Sequence, residues 1–335
     1  MLRTVFLLCG TAFFIILLWR LGPSEILVLL GRIGWHSIPI LFFYAAHHAT
    51  RALALHTCVL RPRLVRYRDA LAVRLSGEAI RSLTFTGPLL AEPARAWLLE
   101  RRGLTLKEGY AATITEYLIN SFVVAGMSIA GLLYFVEHFE PAPIISRIAI
   151  GIASGLGVFL AASTIAIARR FYLIGTLINS MARLGVLRGR LRPDMTWINR
   201  MEDILLAVLR DRPARLAAIA LVEAVAQVFL ILELFCLLHA LGLAVPYRYP
   251  FVIEASTKVT GVAFAFVPLQ LGAAEGTYML VFNTLGLPAV AGFALAFARR
   301  ARSLVAAGIG LMVLARVSRD DRPTQRSLGS DQHLP

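Results

Sequence analysis

Carboxylates and guanidiniums recur at helical spacing inside apolar sequence, where neither belongs without a partner. Glu78 and Arg81 stand at i, i+3, and Glu92 and Arg95 repeat that spacing. Thr113, Glu116 and Asn120 fall at i, i+3 and i+7, one face of a helix. Glu223 and Gln227 form an i, i+4 pair, and Glu254 and Lys258 have the favourable acid-first order at that spacing. Arg299, Arg300 and Arg302 lie deep in the last apolar run, roughly 18–22 Å of helix from its start. An ionisable side chain at that depth costs roughly 2.5 kcal/mol or more and needs a partner or water. Two chemistries meet the need. One is mutual ion pairing, with Glu275 or Glu116 serving the arginines. The other is a polar path for a charged substrate, with the arginines on an anionic group such as a lipid phosphate. The second reading makes Glu78, Arg81, Glu92, Arg95, Glu116, Asn120, Glu254, Lys258, Glu275, Arg299 and Arg302 the substrate-binding candidates. Glu233 lies about 80° from Glu223 around a helix and reads as a packing residue.

Other chemistry is thinly represented. His47 and His48 are adjacent and point to different faces of a helix, so they and Arg51 do not suggest a metal pair. Cys9, Cys58 and Cys236 are isolated and read as small core residues. The sequence contains no Walker A, nucleophile-elbow or zincin pattern. No cofactor, metal or catalytic residue is expected, and transport is favoured over enzymatic activity.

The elements that must position these residues follow from composition. Of 335 residues, 58% are hydrophobic, and the mean hydropathy is +0.71. That apolar share exceeds what a soluble domain buries and predicts an all-α polytopic membrane protein. Apolar runs predict six full spans: Thr4–Leu21, Ser37–Leu60, Tyr110–Val136, Ile145–Ala168, Leu216–Leu243 and Leu287–Ala315. The first is read as a retained span, because no small-residue cleavage site follows it. Gly151 and Gly155 make a small-xxx-small face that reads as helix packing.

Two regions are too broken to span. In FTGPLLAEPARAWLLERRG, Gly87, Pro88 and Pro93 interrupt the apolar pattern; the other break is PLQLGAAEG. The regions resemble each other: Glu92 precedes Gly103-Leu104 by eleven residues, and Glu275 precedes Gly286-Leu287 by eleven. Glu116 and Arg299 then lie thirteen residues after the respective glycines. If each region is a re-entrant helical hairpin, crossing parity makes the two units inverted repeats. Half-helices opening at Pro88 and Gly272 would present N–H groups and positive dipole ends within the membrane.

Loop charge agrees with this count. The net charge is +14. With both termini in the cytoplasm, Arg61–Arg68, Arg101–Lys107, Arg169–Arg215 and the tail all lie on that side, as the positive-inside rule requires. Nucleic acid is not an expected partner. The predicted organisation is one integral membrane domain over 1–315, with re-entrant units at about 69–136 and 249–315. Cytoplasmic interfacial helices occupy about 169–213, and 316–335 is a disordered cytoplasmic tail.

The stretches SGEAIRSLTFTGPLLAEPARAWLLERRGLTLKEGYAATI and FVPLQLGAAEGTYMLVFNTLGLPAVAGFALAFARR resemble the lysylphosphatidylglycerol-synthase transmembrane family, also called flippase-like membrane proteins. Gly77, Glu78, Arg81, Glu92, Arg95, Pro268, Gly272, Glu275 and Arg299 match that family's pattern, over about Leu21 to Ala315. Two departures matter. The first break, GPLLAEP, is poorer in glycine than is usual. The chain also ends 20 residues after Ala315, where two-domain members continue into a soluble aminoacyltransferase. The resemblance therefore implies a lipid transporter or flippase of the cytoplasmic (inner) membrane, acting on an anionic or glycosylated head group. The alternative is a transferase or accessory protein in polyprenyl- or hopanoid-lipid biosynthesis. Partners implied are a membrane lipid and the bilayer, with a second copy of the chain or a biosynthetic enzyme as the protein partners compatible with it.

Overall fold

The computed structural model describes residues 33–83, 88–169, 213–263 and 272–320, with isolated positions at 24, 28, 31, 196, 202, 203, 206 and 270. The expected first span, most of the expected interfacial helices, residues 84–87 and 264–269 at the two sequence breaks, and the tail beyond 320 lie outside the described residues.

Nine α-helices make up the described chain: α1 Ser37–Cys58, α2 Tyr67–Leu83, α3 Pro88–Glu100, α4 Leu106–Phe139, α5 Pro143–Ala168, α6 Pro213–Ala240, α7 Arg248–Ala263, α8 Ala273–Thr284 and α9 Ala289–Asp320. No strand occurs among the described residues. By length and composition, α4, α5 and α6 are long and apolar enough to cross a membrane. On α5, Ile144, Ile148, Val158 and Ile165 are exposed, as suits a surface solvated by lipid. Among the described residues, a side chain at Gly151 or Gly155 would meet nothing within 4 Å. The last helix continues to Asp320, past the expected end of the span at Ala315.

Local chemistry explains several boundaries. α4 opens on a capping box: the Thr105 hydroxyl accepts from the Glu108 N–H at 3.3 Å, and the Glu108 carboxylate accepts from the Thr105 N–H at 2.9 Å. Pro88 begins α3, where its missing N–H leaves no bond unmade. Pro93 does not break the helix, contrary to the sequence reading; it lies inside α3. It sits in the second turn, so it forfeits one early helical hydrogen bond and leaves the rest of the ladder intact.

The two broken regions fold alike. After α3, Arg102 and Gly103 close a turn on Leu99 and Glu100; after α8, Leu285 and Gly286 close the same turn on Phe282 and Asn283. Gly103 and Gly286 have φ of +97° and +72°, a conformation that glycine adopts without the steric strain of a side chain. Six residues further on, Gly109 lets α4 approach the Ala96 carbonyl, and Gly292 lets α9 approach the Tyr278 carbonyl. An added Cβ would stand 2.7 and 2.8 Å from those oxygens. The matched turn residues and glycines are each separated by 183 residues.

Helix packing extends the correspondence. α2 packs on α3, and α7 on α8; α3 packs on α4, and α8 on α9. The first helix of each unit crosses to the other unit: α2 lies on α9, and α7 on α4. Gly310 of α9 touches Leu75 and Ala79 of α2, while Gly131 of α4 touches Ala255 of α7. α1 and α6 pack together at the junction.

Two apolar cores lie at opposite ends of this junction. One gathers Ala54, Leu55, Val73, Leu98, Leu99, Ala112 and Ile219. The other gathers Ile40, Phe135, Leu234, Leu237, Val252, Ile253 and Phe282. The start of α2 and the end of α3 share the first core, so that helix pair returns to the end from which it set out. The start of α7 and the end of α8 share the second core in the same way. The buried charged residues stand on α1, α4 and α6 and on the helices packed against them.

Candidate functional site

α4 brings Glu116 to the junction, fully buried, with Thr113 and Asn120 buried on the same face. Three guanidiniums converge on it. Arg51 of α1 donates at 2.6 Å, Arg95 of α3 at 2.9 Å, and Arg74 of α2 stands at 3.7 Å. Arg95 also holds both oxygens of Glu92 at 2.9 Å. It reaches Glu116 across α2 because Gly77 leaves room; a Cβ there would come within 2.6 Å of its stem. Arg74 pairs with Glu78 at 3.3 Å, and Arg51 with Glu223 of α6 at 3.2 Å. Arg81, the partner of Glu78 in the sequence reading, also acts on that carboxylate from the half-buried end of α2. This first network links three guanidiniums to four carboxylates by pairs within 4 Å.

The second network is centred on Glu233, and it corrects the expectation that Glu233 only packs. Its carboxylate is fully buried and takes Arg299 at 3.0 Å and Arg302 at 2.5 Å. Arg299 also reaches Glu254 at 2.7 Å and donates to the Tyr278 hydroxyl at 2.6 Å. Lys258 pairs with Glu254 at 2.9 Å, in the i, i+4 order the sequence suggests. Arg300 pairs with Glu275 at 2.6 Å. Glu275 also accepts the Gly272 N–H at 2.9 Å, fixing the start of α8. Around Glu233 and Glu254, three cations face two carboxylates.

The pairing expected between the arginines and Glu116 is not formed, since Glu116 belongs to the first network. The pairing with Glu275 is formed, by Arg300. Missed by sequence reasoning were Arg74, the role of Arg51, and the position of Glu233 as a hub. Burial at a mid-helix position signals that each needs a partner, but only packing of different helices decides which one.

The two networks are joined through α1 and α6. Glu223 and Glu233 are ten residues apart on α6, about 15 Å. Gln227, between them, donates to Asn120 at 3.3 Å. On α1, His47 Nδ1 meets the Ala226 carbonyl at 2.9 Å. The Tyr44 ring lies 3.7 Å below the Arg302 guanidinium, a cation–π contact, and edge-on to His48. His48 is buried, and neither of its ring nitrogens has a hydrogen-bond partner among the described residues. No group of three His, Cys, Asp or Glu is placed to hold a metal ion among the described residues.

Helices of membrane-spanning character, with buried ion-pair networks between apolar cores, define an all-α membrane protein with a charged interior. The family described as the lysylphosphatidylglycerol synthase TM region matches residues 4–310, and the chain belongs to that family. No curated protein and no solved structure matches the chain.

Proposed function

We propose that the protein moves an amphiphilic lipid across the cytoplasmic membrane, its anionic or glycosylated head group passing the junction of the two charge networks. The observation that carries this is their placement. Among the described residues, seventeen polar or charged side chains are buried in an otherwise apolar fold, and ion pairs among them tie helices of both units to α1 and α6. Ion pairs buried this way add little stability over a well-packed apolar core, so their retention calls for another role.

On this reading, α2–α3 and α7–α8 are re-entrant hairpins entering from opposite faces of the bilayer, and the units are inverted repeats. Both termini and the arginine-rich loops are cytoplasmic. The head group is held by exchange. Arg95, Arg299 and Arg302 each serve a carboxylate in the structure, so a phosphate would replace Glu92 or Glu233 as their partner at little net electrostatic change. Glu92, Glu275 or Glu254 would then meet hydroxyl or amine groups of the same head. Arg81, Lys258, Glu78, Glu116 and Asn120 complete the lining.

The test is translocation of a labelled phospholipid in proteoliposomes. Loss of at least tenfold in rate is expected for the double variant Glu92→Gln, Arg299→Gln, the equivalent of about 1.4 kcal/mol in the barrier. Full activity in that variant would remove these residues from the path.

A further inference from the structure

We propose that Glu223 and Gln227 form a monovalent-cation site at the α1–α4–α6 junction, filled by a proton on Glu223 or by an alkali ion shared with Gln227. Four carboxylates share three guanidiniums at pair distance in the first network, with Arg81 acting on Glu78 from the end of α2, and Glu223 is the most weakly paired of the four. Glu116 has three guanidiniums around it, and Glu92 has both oxygens bonded by Arg95. Glu78 has Arg74 and Arg81 nearby and keeps some contact with solvent. Glu223 has one ion pair within 4 Å among the described residues, with Arg51, whose Nε stands 3.2 Å away and also belongs to the guanidinium that serves Glu116; the Glu116 carboxylate and, from further off, Arg74 also act on it.

Hydrogen bonding gives an independent indication. Glu223 is fully buried; its Oε2 faces Arg51 Nε at 3.2 Å, and its Oε1 has no hydrogen-bond or ion-pair partner among the described residues. One helical turn on, on the same face of α6, Gln227 is 3% exposed and its Oε1 is also unpartnered, because its amide nitrogen is the group that meets Asn120. Two buried acceptor oxygens within one turn thus lack a donor. Buried oxygens of this kind are satisfied by a hydrogen bond or by a hard cation, which takes oxygen ligands.

The surroundings are those of a cation bound beside a fixed positive charge. α1 contributes Arg51 and His47, with Cys58 further along; α4 contributes Glu116 and Asn120; α2 contributes Arg74, opposite Glu116. From α7, Lys258 acts on His47 and is itself paired with Glu254. Coupling of cation binding to head-group movement rests on the transport reading above; the binding itself does not.

The experiment therefore uses the purified full chain in detergent, without lipid substrate. Thermal stability is followed as choline chloride is replaced by sodium or potassium chloride at constant ionic strength. In parallel, infrared difference spectra taken across a pH titration look for the C=O stretch of a protonated carboxyl. Alkali-ion binding raises the melting temperature with saturating dependence on the ion, is absent in Glu223→Gln, and is weakened roughly tenfold in Gln227→Leu. Proton binding gives no ion dependence, and instead a protonated-carboxyl band that is absent in Glu223→Gln and shifted in Gln227→Leu. The proposal is overturned if folded wild-type protein shows neither signal. It is equally overturned if either signal is unchanged in Gln227→Leu, a variant that keeps every ion pair and so remains informative should Glu223→Gln fail to fold.

Discussion

Glu116 and Arg299 occupy the same place in the two halves of the chain, thirteen residues after the turn glycine, and carry opposite charge. Glu116 draws in guanidiniums from α1, α2 and α3; Arg299 draws in carboxylates from α6 and α7 and a hydroxyl from α8. By pairs within 4 Å, four carboxylates meet three guanidiniums in the first network, and two carboxylates meet three cations around Glu233 and Glu254 in the second. The same backbone plan, repeated, thus supports charge networks of either sign. What the fold holds constant is the requirement that a buried charge be met from the neighbouring helices; the sign is left to the side chains.

The comparison can be broken in several places. The largest effect is expected for Glu116→Leu, which leaves three buried guanidiniums short of a partner. Stability should fall by about 3–5 kcal/mol in denaturant unfolding of the detergent-purified protein. Arg299→Leu should cost less, about 2–3 kcal/mol, because Glu233 keeps Arg302 and Glu254 keeps Lys258. An equal or larger loss for Arg299 would mean that the networks are not built alike. Next come Gly109→Val and Gly292→Val, each of which presses a side chain against a carbonyl of the preceding helix. Each should lose about 1–3 kcal/mol, with similar values in the two halves. The smallest effects are expected for Gly103→Ala and Gly286→Ala, about 1 kcal/mol each from the left-handed backbone. A large difference between these two would show that one turn is under a constraint that the other lacks.

Much of the fold was legible in the sequence, because helix length and turn chemistry are local. The runs from Tyr110, Ile145 and Leu216 appear as α4, α5 and α6 within a few residues, and the broken regions appear as paired short helices. The Glu–Gly–Leu spacing that suggested a repeat corresponds to matched turns, close approaches and helix contacts. Pro93 was misread because proline tolerance depends on which turn of the helix it occupies. The candidate residues were recognisable as buried charges, and the structure gathers most of them into two networks. Their partners were not recognisable. Glu233 and Glu223 present different faces of one helix, and both faces are polar because α6 touches both networks. Arg51 lies beside two histidines that drew attention to metal chemistry, whereas its partners come from 65 and 172 residues away in the chain.

The exchange of first helices between units, α2 onto α9 and α7 onto α4, bears on how the protein is made. The end of α2 at Leu83 leaves the ribosome about 200 residues before the start of α9 at Ala289, or on the order of ten to forty seconds at ordinary rates of synthesis. During that interval a short helix carrying Arg74, Glu78 and Arg81 has α1 and α3 for company, and Glu116 of α4 for Arg74, but lacks the helix that covers its remaining face. The first half of the protein is thus assembled early and closed late. Truncation anywhere before α9 should leave a chain whose first unit cannot be completed, however well that unit is inserted.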